Sequence, residues 1–280
     1  MHFLTKNKSF DDFSLFAKIC FDTLIEDITP KIKSELFCGI YIDGRNREIN
    51  SVEDFAALHS FKTFSEYDYP YLVLSPNSNN LFNNDSKYKQ IHHIEIPECN
   101  SHESYSQFVI KNIWNFIPKH FKRLLFVQSD GFLIKRGWEQ YVLDTKVDYI
   151  GSAWCHGPGI DCLFQNKWVA INYPKIQCGN GGFSYRNRDI CERISNTFSS
   201  LILKEHGCEN EKPPPEDLFY SHLMNGWENG GIVASVEQCM KFSFDPITLK
   251  EYNNKYSFGF HYPKKVNQFH HHRDFYLNLK

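Results

Sequence analysis

The chain alternates short, continuous apolar runs with polar turns. LFCGIYIDGR (36–45), YPYLVLSP (69–76), IHHIEIP (91–97) and RLLFVQSD (123–130) each read as a buried strand feeding a turn. Ahead of them, residues 10–28 predict an amphipathic helix. In HESYSQFVIKNIWNFI (102–117), Tyr105, Phe108, Val109, Ile113 and Phe116 fall near helical spacing. Strands alternating with helices predict an α/β sheet, largely parallel. In such sheets ligands bind beyond the carboxyl ends of the strands, which directs attention to Asp43, Arg45, Gln128, Ser129 and Asp130.

Past residue 150 the texture changes to aromatic, glycine-rich pieces with loops between them, such as GIVAS (231–235). This half reads as a substrate-binding elaboration of the same sheet. No internal repeat is visible. NSNNLFNNDSKYK (77–89) reads as a surface loop.

With 280 residues, 41% hydrophobic and 25 of them Phe, the chain can bury a large core, and disorder throughout is excluded. A net charge of -2 gives no overall attraction to nucleic acid or anionic membrane, so such a partner would be recognised locally. Nine cysteines without a CxxC pair fit reduced thiols and a cytoplasmic compartment. The start, MHFLTKNKSFDDFSLF, lacks a signal-peptide core, and no run approaches the ~18 apolar residues of a spanning helix; peripheral membrane association is still permitted. His270, His271 and His272 beside Arg273 and Asp274 read as a solvated tail. Cys155, His156, Cys162 and Cys178 lack zinc-site spacing.

Four motifs carry candidate chemistry. CGNGGFSYRNRD (178–189) sets three glycines and an asparagine before an arginine-bearing, helix-like segment. It lacks the Lys-Ser/Thr of a phosphate loop, and Ser184 replaces the last glycine of a dinucleotide fingerprint. Asp130 could hold Mg²⁺ or Mn²⁺ against a diphosphate, or could simply turn the chain within Ser129-Asp130-Gly131. In KPPPEDLFYSHLM, three prolines place a helix start near Glu216 and Asp217, which then serve as a favourable amino-end charge or as a general base. His261, in SFGFHYP, is a metal-ligand candidate or an ordinary loop histidine.

Taken in order, FVQSDG, CGNGGFSYR, PPPED and FGFHYP resemble the GT-A class of glycosyltransferases. DYIGSAW and GNGGFSYRNRDICERI look like an uncharacterised, mainly bacterial GT-A-like family, with the similarity covering roughly residues 38–265. The resemblance implies a Rossmann-type mixed sheet flanked by helices with a loop-rich acceptor-binding C-terminal half. It divides the chain into a helical extension (1–33), one GT-A-like domain (34–265) and a tail (266–280). It further implies a nucleotide-sugar donor and a hydroxyl acceptor: a glycan, a lipid-linked glycan, a protein or a modified nucleobase, so a nucleic-acid acceptor is not excluded. Residue by residue, Asp130 and His261 would hold Mn²⁺ or Mg²⁺. Asp43, Arg45, Gln128, Ser129 and Asp130 would face the nucleotide. Trp154, Gly179, Asn180, Gly181, Gly182, Phe183 and Ser184 would line the sugar and acceptor. Asp217 would be the base of an inverting transfer, with Glu216 holding the acceptor or substituting for it.

One departure from the family pattern is that Gln128-Ser129-Asp130 stands for Asp-x-Asp, so one carboxylate is missing. Arg45, Lys135 or Arg136 could then neutralise the leaving diphosphate without metal. Two rivals share the motifs: a non-catalytic carbohydrate-binding relative, and a metal-dependent phosphoester hydrolase using Asp130, Glu216, Asp217 and His261.

Overall fold

The computed structural model describes residues 32–33, 35–49, 54, 65–77, 91–129, 131–133, 136–155, 160–164, 167–171, 176–200, 202–205, 211–244 and 257–261. The expected helix at 10–28, the tail, Asp130 and Lys135 lie outside these residues, as do the side chains of Trp154, Cys155 and Cys178.

In chain order the strands are β1 (Ile32–Lys33), β2 (Phe37–Ile42), β3 (Tyr67–Asp68), β4 (Tyr71–Ser75), β5 (Ile91–Glu95), β6 (Arg123–Val127), β7 (Gly131–Leu133) and β8 (Tyr149–Cys155). There follow β9 (Ile160–Phe164), β10 (Lys167–Ile171), β11 (Ile176–Asn187), β12 (Ile202–Glu205), β13 (Glu211–Lys212), β14 (Ser243–Phe244) and β15 (Gly259–His261). The helices are α1 (His102–Lys111), α2 (Trp138–Thr145), α3 (Arg188–Phe198), α4 (Glu216–Gly226) and α5 (Val236–Phe242), with a 3₁₀ turn at Ile113–Asn115.

Six strands form the central sheet in the order β5-β4-β2-β6-β11-β8. β5, β4, β2 and β6 are parallel neighbours, while β11 runs antiparallel to both β6 and β8. The sheet is thus mixed and largely parallel, an α/β arrangement of Rossmann-like type flanked by helices. β2 and β4 are buried along their whole length, which explains why they read as continuous apolar runs and not as alternating ones.

The chain winds outward from β2 to β4 and β5, then returns through α1 to place β6 on the other side of β2. The strand order therefore reverses between β2 and β6, and the carboxyl ends of those two strands frame the crevice where open α/β sheets bind ligands.

α1 begins with a reciprocal capping box between Ser101 and Ser104, which satisfies amino-end donors. It packs against α4 and α3, and the shared core holds Phe108, Ile113, Trp114, Phe126, Ile194 and Tyr220. Trp114 Nε1 donates to Ser195 Oγ at 2.9 Å and to Tyr220 Oη at 3.2 Å, so its polar atom is satisfied inside this core.

The structure differs from the sequence reading at β11 and at one cysteine. The strand β11 continues through the glycine cluster to Asn187, and the helix starts only at Arg188; pairing with β6 on one side and β8 on the other overrides local preference. The short apolar piece GIVAS adds an isolated parallel bridge from Val233 to Tyr149. Cys38, Cys99 and Cys191 are free thiols, but Cys239 stands in a disulfide, against the expectation that all nine are reduced. Sequence spacing does not show which cysteines the fold brings together. Among the described residues no helix is long and apolar enough to cross a membrane.

Candidate functional site

At the carboxyl end of β6, Gln128 and Ser129 are half-buried, and the Gly131 N–H donates to the Gln128 carbonyl at 3.0 Å, closing a tight turn. Asp130 itself lies outside the described residues. Gln128 N–H donates to the Gly182 carbonyl at 2.8 Å, and its Nε2 donates to Tyr105 Oη of α1 at 2.9 Å. The turn is thus tied to the glycine cluster of β11 and to the crossover helix.

Register with β8 is lost twice, between Cys178 and Asn180 and between Asn180 and Tyr185. Gly179 takes a left-handed φ of 118°, and its carbonyl accepts from Tyr149 Oη at 2.7 Å. Asn180 Oδ1 accepts the Gly182 N–H at 3.1 Å. Close packing explains the next two glycines. A Cβ on Gly181 would stand 2.5 Å from Glu216 Oε1, 3.2 Å from Arg186 Nη2 and 3.3 Å from Asp217 Cβ. A Cβ on Gly182 would overlap the His261 ring and lie 3.3 Å from Gln128 Oε1. The bulged, side-chain-free backbone lets α4 and β15 bring Asp217 and His261 against the strand.

His261 arrives from the other direction, since β15 pairs antiparallel with β7 and sets His261 opposite Gly131. The structure therefore gathers Gln128, Ser129, Asn180, Gly181, Gly182, Asp217 and His261 at one end of the sheet, although 133 positions separate Gln128 from His261 in sequence. Phe183 and Ser184 are fully buried beneath this rim. Phe183 stacks near Phe242 with ring centroids 5.4 Å apart, and Ser184 Oγ donates to the Gly181 carbonyl at 3.1 Å.

The two adjacent acids of α4 have separate environments. No side-chain hydrogen bond caps the helix at Pro215. Glu216 is only 3% exposed and points inward: Ser106 Oγ donates to its Oε2 at 3.1 Å, and Arg186 Nη2 lies 3.7 Å from its Oε1. Asp217 is half-buried and accepts N–H groups from Leu218 at 2.8 Å and Gly181 at 3.4 Å. Burial first, and the Glu216 charge second, push its carboxyl up to about 7. A base with that affinity for protons is matched to neutral pH.

Arg186 was not singled out by the sequence. It is fully buried, with Nε donating to Ser184 Oγ at 3.1 Å and the guanidinium 4.3 Å from the Phe126 ring, 5.3 Å from Tyr220 and 5.6 Å from Tyr149. The available signal was an arginine inside FSYR, but Phe183 and Tyr185 share one face of the strand and Arg186 falls on the other with Ser184, so the aromatic residues did not mark its face as interior. The Phe126 carbon skeleton and the carboxylate of Glu216 were unrelated in sequence to that arginine, so its partners could not be read.

Asp43 and Arg45 stand at the end of β2, one strand away from Gln128 and Ser129. Asp43 is buried and engaged: Arg45 donates from Nε at 2.9 Å, from Nη2 at 2.8 Å and from its backbone N–H at 3.0 Å, and Arg47 pairs with the same carboxylate. Burial alone would raise the Asp43 carboxyl, but the Arg45 hydrogen bonds and the Arg47 charge hold it below its ordinary value. Arg47 continues to Asp54, which also accepts from Tyr41 Oη. Arg45 remains 55% exposed. Asp43 thus anchors the loop, and Arg45 is the member of the pair that faces outward.

Arg136 lies in the connection between β7 and α2. Trp154 pairs through its backbone with Gln177. As for Mn²⁺ or Mg²⁺, no three His, Cys, Asp or Glu side chains among the described residues are placed to hold an ion. Glu216 is committed to Arg186, and His261 brings one imidazole. The described donors do not complete a metal site, so no chemical step below is routed through one.

No curated protein matches the chain. Among solved structures, that of 4-diphosphocytidyl-2C-methyl-D-erythritolsynthase from Anaerococcus prevotii DSM 20548 is similar over 68% of this chain and 83% of that one, at 8% identity and a TM-score of 0.39. The model of the family described as "Protein of unknown function (DUF5672)" matches residues 88–261, more than half of the chain and all of the rim from Gln128 to His261, and the chain belongs to that family.

Proposed function

We propose that the protein is a glycosyltransferase that moves a sugar from a nucleotide-diphosphate donor to a hydroxyl acceptor. The observation that carries this reading is a half-buried acid, Asp217, beside a glycine-formed backbone shelf at the strand-order reversal, with its neighbour Glu216 buried and engaged. In the proposed step Asp217 takes the acceptor hydroxyl proton. The acceptor oxygen forms its bond to the anomeric carbon as the bond from that carbon to the diphosphate oxygen breaks, and the diphosphate leaves with the electron pair. Gln128, Ser129 and the exposed Arg45 would meet the nucleotide and its phosphates, since they end neighbouring parallel strands. Asn180 and the Gly181-Gly182 backbone would face the sugar.

In this reading Asp217 alone takes the proton, since the Glu216 carboxylate is buried and accepts from Ser106. That placement also removes one ligand from the phosphoester-hydrolase alternative.

The test is thermal stability with and without nucleotide sugars. A ligand that binds only the folded protein at a hundredfold excess over its Kd adds about 2.7 kcal/mol, which raises Tm by several degrees. No shift with any nucleotide sugar at millimolar concentration would sink the transferase reading. We further propose Asp130 and His261 as the ligands of a divalent ion. Asp130→Asn and His261→Ala are each expected to abolish any Mn²⁺-induced rise in Tm in the absence of nucleotide, and an unchanged response would leave Asp130 as a turn residue only.

A further inference from the structure

The least expected group in the molecule is the Arg186 guanidinium. It has no exposure, its Nη1 and Nη2 atoms have no hydrogen-bond partner among the described residues, and Glu216 Oε1 lies 3.7 Å from Nη2. A buried cation with unsatisfied donors is costly, and burying an ion pair often stabilises a fold less than apolar packing would. Three aromatic rings offset part of the cost through their π faces. The remainder calls for a role that a fully apolar core could not fill.

Its position suggests that role. Arg186 Nη2, Glu216 Oε1 and Asp217 Cβ converge on the single missing side chain of Gly181. The pair, itself buried, therefore lies directly behind the half-buried Asp217. We propose that Arg186 and Glu216 form a buried counter-charge pair that positions Asp217 and sets the pH range in which it accepts a proton, which makes both of them positioning residues. This inference rests on the reading of Asp217 as the base.

The two partners act in opposite senses. Glu216 carries a like charge on the adjacent residue and disfavours the Asp217 anion, while Arg186 favours it, and the Glu216 effect is the larger. Of the other titratable groups, Tyr149 of β8 interacts with Asp217, and Tyr105 of α1, Tyr220 of α4 itself and Cys191 of α3 interact with Arg186. Burial raises all four well above neutral pH, so they stay uncharged where Asp217 titrates. Across the Gly182 backbone stands His261, and on the β6 side the uncharged Gln128. Near neutral pH the charge environment facing Asp217 from the buried side is the Arg186–Glu216 pair.

The decisive measurement is the carboxyl ¹³C titration of Asp217 in the folded protein, made on wild type, Glu216→Gln, and the double variant Arg186→Met with Glu216→Gln. Glu216→Gln removes the like charge and leaves Arg186 unopposed, so the midpoint should fall by about one pH unit or more. The double variant removes both charges together and strands neither, and its midpoint should lie between those of Glu216→Gln and wild type. If a single substitution prevents folding, the double variant compared with wild type carries the test. Equal midpoints in all three proteins, or a midpoint that rises in Glu216→Gln, would overturn the inference. Sugar transfer is not read in this titration. Absent turnover with the expected midpoints would therefore count against the base reading alone.

Discussion

Asp217→Asn should cut turnover by roughly 10²- to 10⁴-fold, leave donor affinity unchanged, and make the protein more stable above neutral pH. The first figure is the usual contribution of a positioned base. The stability effect follows from linkage. Asp217 binds its proton more tightly when folded, at about 7, than an unfolded aspartate does at about 3.9. Its contribution to stability is fully present below pH ~4 and is lost as pH rises through 7, where the folded state must hold an ionised, poorly solvated carboxylate. Asparagine never ionises, so the variant should match wild type near pH 4 and exceed it by on the order of 1–4 kcal/mol at pH 8.

Two smaller effects act against that gain. A negative charge in the first turn of α4 interacts favourably with the helix amino end by roughly 0.3–1 kcal/mol, and the variant gives this up. The N–H groups of Leu218 and Gly181 keep an acceptor only if the amide oxygen takes their place. Both are smaller than the relief expected at alkaline pH, so the sign should hold. The three readouts are Tm across pH 4 to 9, donor Kd and kcat. A merely structural acid would show the stability change without the loss of turnover. Full turnover would remove Asp217 from the role assigned to it.

The fold was legible because its signals are local. The runs that became β2, β4 and β6 are continuous and bounded by turn residues, and the prolines before Glu216 set the start of α4 at the expected residue; IHHIE also forms its strand, but β5 is the sheet edge and is half-buried or exposed where a buried strand was expected. The rule that ligands meet the carboxyl ends of parallel strands pointed to Gln128, while its meeting with the glycine cluster was expected only from the family resemblance. The charge pair beneath was not legible. Arg186 and Glu216 are 30 positions apart, and their meeting depends on a strand paired on both sides and on two bulges that reset which side chains face α4. A periodic reading assigns faces by counting, and a bulge changes the count. The purpose of the glycines was half legible: close approach was expected, but the bodies that approach Gly181 and Gly182 are Glu216, Arg186 and His261 of this chain.

That close approach leads to the second large effect, at Gly181. Its backbone does not occupy the left-handed region, so alanine meets no conformational strain there, and in open space the substitution would add about 0.4–1 kcal/mol of stability by restricting the unfolded chain. The added methyl instead stands 2.5 Å from Glu216 Oε1, well inside contact distance. A flexible carboxylate end could ordinarily swing away. Here Oε2 is held by the Ser106 hydroxyl, Arg186 lies on the other side, and the group is buried. Relief must come from moving α4 outward or from breaking the Glu216 contacts, and overpacking of this kind costs about 1–3 kcal/mol. Either response displaces Asp217, whose Cβ is itself 3.3 Å from the new methyl. A shift of about 1 Å in a reacting group can lower turnover 10²-fold, so Gly181→Ala should lose roughly that much kcat together with several degrees of Tm. Donor Kd should change little, because the nucleotide end of the proposed site would lie at β2 and β6. The measurements are Tm, kcat and Kd on the single variant. If Tm and kcat both stay at wild-type values, Glu216 is free to move and the clamp beneath Asp217 does not exist.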